Sequence, residues 1–150
     1  MKFSKHSMVR GALLGVVGFA AGMAISWPAD ADTYAVGDFA SPSGNIACAI
    51  SNNWPTPSVR CDVKDITFAP PPRPADCNGA WAHSADLSLG GMPHFRCISD
   101  SEDYTAFTLP YGSHTAVGPF DCASGQDGVR CVDTTTNRGF RLSRDSYDFF

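Results

Sequence analysis

The sequence predicts an all-β fold: a small disulfide-stapled domain of three hairpin-like units with little helix, arranged as a compact barrel, a sandwich or a trefoil-like assembly. Three observations carry that reading. The phrase apolar-Arg-Cys recurs as Val59-Arg60-Cys61, Phe95-Arg96-Cys97 and Val129-Arg130-Cys131, each preceded by an earlier cysteine at Cys48, Cys77 and Cys122. The closing cysteines at 61, 97 and 131 lie 36 and 34 residues apart, in the range of short structural repeats. Apolar side chains alternate around these cysteines at the period of two that a half-buried strand requires.

The first 31 residues read as a secretory leader. Lys2, Lys5 and Arg10 form a positive end, Gly11 to Ile25 is apolar, and Ala29-Asp30-Ala31 is an A-x-A cleavage site. A membrane anchor needs roughly 20 apolar residues, whereas this run is shorter and is soon followed by Pro28 and Asp30. Cleavage is therefore expected to leave residues 32–150 as a single secreted domain without a stable anchor. That part carries eight Lys/Arg and 14 Asp/Glu, a formal charge of −6. An acidic surface with Lys64 as its single lysine argues against nucleic acid or anionic lipid as a partner, since both recruit basic patches. All six cysteines follow the leader, and an even count in an exported chain implies a closed disulfide framework.

Taken in order, Asp32 to Gly37 is expected to be a loose lead-in. Ser41-Pro42-Ser43-Gly44 has the chemistry of a β-turn. It launches a strand from Asn45 to Ile50 in which Ile46, Cys48 and Ile50 share one face. Asn52 to Pro57 is loop, and Ser58 to Val63 returns with Val59, Cys61 and Val63 inward. Facing cysteines on neighbouring strands can reach disulfide distance, which pairs Cys48 with Cys61. Phe68 to Pro74 is proline-rich and reads as an extended connector that cannot donate a backbone ladder.

The second unit holds Trp81, assigned to the core, then Leu87 and Leu89, a Gly90-Gly91 turn and the strand Phe95-Arg96-Cys97. Cys77 pairs with Cys97 by analogy. Ser99 to Asp103 is an acidic turn, and Thr105 to Leu109 has strand composition with Phe107 and Leu109 on one face. Phe120 and Cys122 point inward before Gly125-Gln126-Asp127-Gly128, a hairpin loop answered by Val129 to Val132. This pairs Cys122 with Cys131. Gly139 to Leu142 is the last strand, Ser143 caps a final helical turn, and Leu142, Tyr147 and Phe150 pin the terminus to the core. Cysteine count alone admits fifteen pairings, and the sequential set is preferred.

A domain of this size has a marginal core. Closing loops of 13, 20 and 9 residues is worth roughly 2.5–3.5 kcal/mol each in the chain-entropy model. The sum approaches a typical folding free energy, so reduction is expected to unfold the domain.

The phrases Ser41-Pro42-Ser43-Gly44-Asn45-Ile46-x-Cys48, Val59-Arg60-Cys61-Asp62, Leu109-Pro110-Tyr111-Gly112 and Gly139-Phe140-x-Leu142-Ser143-Arg144-x-x-Tyr147-x-x-Phe150 resemble an uncharacterised family of small secreted actinobacterial, mycobacterial-type proteins, a domain of unknown function. The resemblance covers nearly all of residues 32–150. It implies export and an envelope or extracellular address, and no activity. Members often carry a histidine just before the Gly-Phe of the last strand, where this chain has Arg138.

Functional candidates are few. His83, His94 and His114 permit a Ser-His-Asp arrangement, best at Ser113-His114, although neighbours on an extended chain face opposite ways and no Gly-x-Ser-x-Gly elbow is present. Paired metal ligation by His83 and His94 lacks a placed carboxylate. Asp100, Glu102 and Asp103 offer hard oxygens for Ca²⁺ but read as a solvated turn. Arg60, Arg96 and Arg130 each precede an inward cysteine and should face outward, either as three similar anion contacts or simply paired with acids such as Asp62 and Asp121. With Trp54, Tyr111 and His114 they make up the candidate binding surface. No cofactor, metal or catalytic residue is assigned. The sequence thus reads as a non-enzymatic binding module with an envelope or extracellular macromolecular partner. The alternatives are a small secreted hydrolase using His114 or His83, and a structural envelope protein without a discrete ligand.

Overall fold

The computed structural model describes residues 32–150; the expected leader lies outside them. Among the described residues there is no helix. The strands are β1 (Thr33–Tyr34), β2 (Asp38–Ala40), β3 (Ile46–Ser51), β4 (Ser58–Val63), β5 (Ser84–Ser88), β6 (His94–Phe95), β7 (Phe107–Thr108), β8 (His114–Val117), β9 (Phe120–Gly125), β10 (Gly128–Asp133), β11 (Arg138–Leu142) and β12 (Tyr147–Phe149). They form two six-stranded sheets, ordered β1-β8-β9-β10-β11-β12 and β6-β5-β4-β3-β2-β7. Neighbours are antiparallel except at one edge of each sheet, where β1 runs parallel to β8 and β7 parallel to β2. The sheets stack as a sandwich rather than a closed barrel or a trefoil.

Alternation explains the core. Phe39, Val59, Leu87, Phe120, Val129, Phe140 and Leu142 are fully buried on the inner faces. Cys48 and Cys61 are direct cross-strand partners, as are Cys122 and Cys131. Their Cα atoms lie 4.0 and 4.1 Å apart, as in the closely approaching cross-strand positions of an antiparallel pair. The two bonds face each other across the sandwich, with Cys61 Sγ 3.6 Å from Cys131 Sγ. The third bond, Cys77–Cys97, ties two loop segments instead. It closes off the proline-rich connector, which Trp81 also holds by donating Nε1–H to the Pro71 carbonyl at 3.0 Å.

Several expectations are corrected. The three units are not equivalent, because the first two share one sheet and the third lies in the other. The phrase Phe95-Arg96-Cys97 is strand only at its first residue. Asp32–Gly37 is not loose throughout: β1 joins β8, and the Thr115 hydroxyl accepts from the Val36 N–H at 3.0 Å and donates to its carbonyl at 2.8 Å. Phe107 is 42% exposed while Leu109 is 0%. The short β7 ends before Leu109, and Phe107 packs instead on the Tyr34 ring, centroids 5.1 Å apart. The expected helical turn at Ser143 is a four-residue strand-to-strand turn. Its Oγ accepts from the Ser146 N–H at 3.0 Å, and the register Leu142↔Tyr147 sends β12 back along β11. Tyr147 and Phe149 then pack on Phe95, with centroids 4.6 and 4.8 Å away. Phe150 lies outside the core, under the Arg130 guanidinium.

The ends of the sheets are pinned by a buried acid that the sequence reading did not single out. Asp133 is fully buried and accepts from Thr135 N–H and Oγ1–H and, across the sandwich, from the Gly90 N–H at 2.8 Å. Burial pushes its carboxyl up, but these hydrogen bonds outweigh burial and hold it below the usual carboxylate range.

Because Cys77–Cys97 lies outside both ladders, replacing both cysteines by alanine should cost about 3 kcal/mol and lower the thermal midpoint by roughly 10–20 °C. Hydrogen exchange should quicken in residues 70–82 while β9–β11 amides stay protected below the new midpoint. Equal loss of protection in both regions would contradict this separation.

Candidate functional site

The sequence-predicted site residues do not form one surface. Arg60 lies in β4, in the middle of its sheet, where a topological demand explains its partners. β6 and β7 occupy opposite edges of that sheet, so the segment between them must cross a face. The inner face is occupied by the other sheet, and the acidic turn therefore straps the outer one. Arg60 holds the strap down: Nε and Nη2 donate to the two Asp62 oxygens at 2.9 Å each, Nη2 reaches the Asp100 carboxylate at 3.2 Å, and Nε lies 3.3 Å from Glu102. Asp62 also accepts from the Glu102 N–H at 2.9 Å. Arg96 pairs with Asp86 at 3.2 Å on this same sheet. Arg130 sits on the other sheet, with its Cζ 4.4 Å from the Phe150 ring centroid. Three equivalent anion contacts are therefore ruled out. Pairing with Asp62 holds for Arg60, but Asp121 pairs with His114 rather than with an arginine.

The histidines also separate. His83 Nδ1 donates to the Val63 carbonyl at 2.9 Å and His94 Nδ1 to the Met92 carbonyl at 3.1 Å, so each is engaged locally. His114 does not meet Ser113, which turns inward and is buried. Its Nδ1 lies 3.0 Å from Asp121, and its Nε2 lies 2.7 Å from the Thr33 hydroxyl. A carboxylate only accepts, so Nδ1 carries the proton and Nε2 of the neutral ring accepts from Thr33. These bonds tie the two-residue β1 to β8 and β9, and they have the proton order of a hydroxyl-His-Asp relay. Among the described residues one group offers three metal-ligand atoms together, namely Cys48, Cys61 and Cys131. All three sulfurs are in disulfides, so none is the thiolate that a metal requires.

Five turns meet at one end of the sandwich: 41–45, 64–65, 110–113, 126–127 and 143–146. They surround an open cleft of about 500 Å³. Side chain-to-backbone bonds stiffen three of these turns, 41–45, 64–65 and 143–146. Gly44 adopts φ +69° and donates its N–H to the Ser41 carbonyl at 2.9 Å, which closes the predicted β-turn. Ser41 Oγ accepts from the Ile46 N–H and lies 2.9 Å from Ser43 Oγ. The Asn45 side chain clamps Asp65 reciprocally, Nδ2–H to its carbonyl at 3.0 Å and Oδ1 from its N–H at 2.9 Å. Asp145 accepts from Ser143 Oγ–H at 2.7 Å, and that bond holds its carboxyl below the usual range.

The cations decide which surface is unusual. Of the eight Lys and Arg side chains among the described residues, Arg60, Arg96 and Arg141 pair with acids. Arg73 and Arg138 donate to backbone carbonyls, and Arg130 stacks on Phe150. Lys64 and Arg144 alone have no such partner among these residues, and both line this cleft. Tyr111, 42% exposed, lines it as well. Trp54, 80% exposed, lies in the β3–β4 loop at the opposite end. Of the predicted surface residues only Tyr111 reaches the cleft. Lys64, Arg144, Ser41 and Ser43 are not among the candidate binding residues that the sequence offers. The available signal was that Ser41–Asn45, Tyr111-Gly112 and Ser143-Arg144 all belong to the four phrases quoted above, which meet only in three dimensions.

The chain belongs to DUF6636, a family of unknown function, which it matches over residues 20–150. No curated protein and no solved structure matches it. Among the described residues no helix is long and apolar enough to cross a membrane.

Burial pushes the Glu102 carboxyl up, and Asp62, Asp38 and Asp100 add to that effect against the opposing pull of Arg60. A raised folded-state value means stability present below the unfolded pKa and lost as pH rises through the folded one. Glu102→Gln should therefore gain stability relative to the parent between about pH 3.5 and pH 7, by less than about 1 kcal/mol. Urea midpoints at the two pH values check this. A relative loss at pH 7 would show that the Arg60 pair outweighs burial.

Proposed function

We propose that this DUF6636 protein is an exported binding module whose ligand seat is the end cleft, and that the ligand is a small polar solute bearing negative charge in the cell envelope or extracellular space. The observation that carries the reading is the convergence of Lys64 and Arg144, the two described cations without a partner, in one concave site of a chain whose described residues carry −6. Cations that already hold an acid or a carbonyl have little left to offer an anion, whereas these two keep their full donor capacity. The cleft falls within the roughly 300–1,000 Å³ of small-molecule sites, on turns carried by a rigid scaffold as ligand sites commonly are. Export is supported by the fully paired cysteines, the leader-like residues 1–31, and the resemblance to secreted actinobacterial proteins.

A thermal-shift screen of the oxidised protein against small carboxylates, phosphate and acidic sugars should raise the midpoint by several degrees at about 100 times Kd. The Lys64→Ala/Arg144→Ala variant should keep its ligand-free midpoint and lose the shift. An undiminished shift would place the ligand elsewhere; no shift across the panel would favour a macromolecular partner or a structural role.

Hydrolysis is a second reading, favoured by the Thr33–His114–Asp121 chain. It predicts that a fluorophosphonate probe phosphonylates Thr33 Oγ1, with fluoride leaving and the hydroxyl proton passing to His114 Nε2, and that His114→Ala abolishes the adduct. A folded protein that stays unlabelled removes this reading.

A further inference from the structure

The cleft holds more than cations, and the rest of its lining restricts what kind of anion fits. Resting on the cleft as the ligand seat, we infer that the ligand is an acidic saccharide, a sugar ring carrying a carboxylate. Lys64 and Arg144 share the lining with Asp65 and Asp145. Asp145 is held in its ionised form by Ser143. A bare inorganic anion meets both signs and brings at most one or two O–H groups, as phosphate does, against the several of a sugar ring. A ligand with one negative group and several hydroxyls satisfies both sets, its carboxylate at the cations and its O–H groups donating to the aspartates.

The neutral groups point the same way. Ser43 is exposed, and its Oγ lies 2.9 Å from the Oγ of the buried Ser41, which already accepts from the Ile46 N–H, so Ser43 is the hydroxyl left for a ligand. Gln126 at the hairpin tip adds an amide. Tyr111 presents an exposed ring that combines apolar area with a polar tip at low rotamer cost. Such a ring can cover the C–H face of a sugar while the polar lining takes its edge. An amino acid also carries both charges, but it leaves the Ser43 hydroxyl and the Tyr111 ring without work. The saccharide uses all of them.

The test is calorimetric titration of the oxidised protein with glucuronate, glucose, acetate, inorganic phosphate and glycine. Glucuronate should bind, with glucose and acetate each at least ~10-fold weaker, since each loses one half of the recognition. Tyr111→Ala should weaken glucuronate ~10-fold while Tyr111→Phe keeps most of the affinity, because the ring face does the stacking. Tyr111 is exposed, so neither variant should disturb folding. Acetate or phosphate binding as tightly as glucuronate would overturn the saccharide while leaving an anion-binding cleft. Glycine binding more tightly would replace it by a zwitterion. Glucuronate binding that survives Lys64→Ala/Arg144→Ala, or no binding of any probe, would remove the cleft reading itself.

Discussion

Where Cys61 Sγ comes within 3.6 Å of Cys131 Sγ, the two sheets touch through sulfur. Each sulfur belongs to a bond that locks a directly opposed pair of residues in its own sheet. The contact therefore joins two already cross-linked hairpins, β3–β4 and β9–β10. The surrounding core of Val59, Val129, Phe120 and Phe140 is small, and a chain of this size gains only a marginal surplus from apolar burial. Cross-links that restrict the unfolded chain by roughly 3 kcal/mol each are thus a large share of what keeps the sheets face to face.

From that centre the remaining constraints follow. Inner faces committed to each other leave only the outer faces for long connections, which is why the β6–β7 segment straps the outside and why Arg60 is held by Asp62, Asp100 and Glu102 rather than free to bind. The Asp133 carboxylate, accepting from Gly90, bridges the sheets at one end. At the other end five turns are left to surround an open cleft, and side chain-to-backbone bonds stiffen 41–45, 64–65 and 143–146. Lys64 and Arg144 stand among polar residues that hold these turns, and are the two cations there left without a partner among the described residues.

Tyr104, in the strap, is half-buried beside Asp62 and Arg60. Burial, aided by the nearby Asp62 charge, pushes its hydroxyl up to about 12, so it remains a neutral donor at any ordinary pH. The strap adds a hydrogen-bonded layer over Arg60 and Asp62 on the outer face. Arg60 belongs to that layer, whereas Arg96 pairs with Asp86 at its edge and Arg130 lies on the other sheet against Phe150.

The sequence by itself determined the strand class and the hairpins of the first and third units, and it favoured the three sequential disulfides among fifteen pairings, because those depend on local alternation, on turn residues such as Ser41–Gly44, and on cysteines close in the chain. It misread Asp32–Gly37 and the terminus after Ser143, where pairing with a distant strand or with β11 overrode local chemistry. It also treated three similar phrases as three similar units. Only the tertiary structure decided that two of them share a sheet and one does not, since strand order depends on which edges remain free once the sheets stack. The cleft was invisible for the same reason. Lys64, Tyr111 and Arg144 lie far apart in the chain, and what sets two of them apart is the absence of a partner, which shows only when every other cation has been placed.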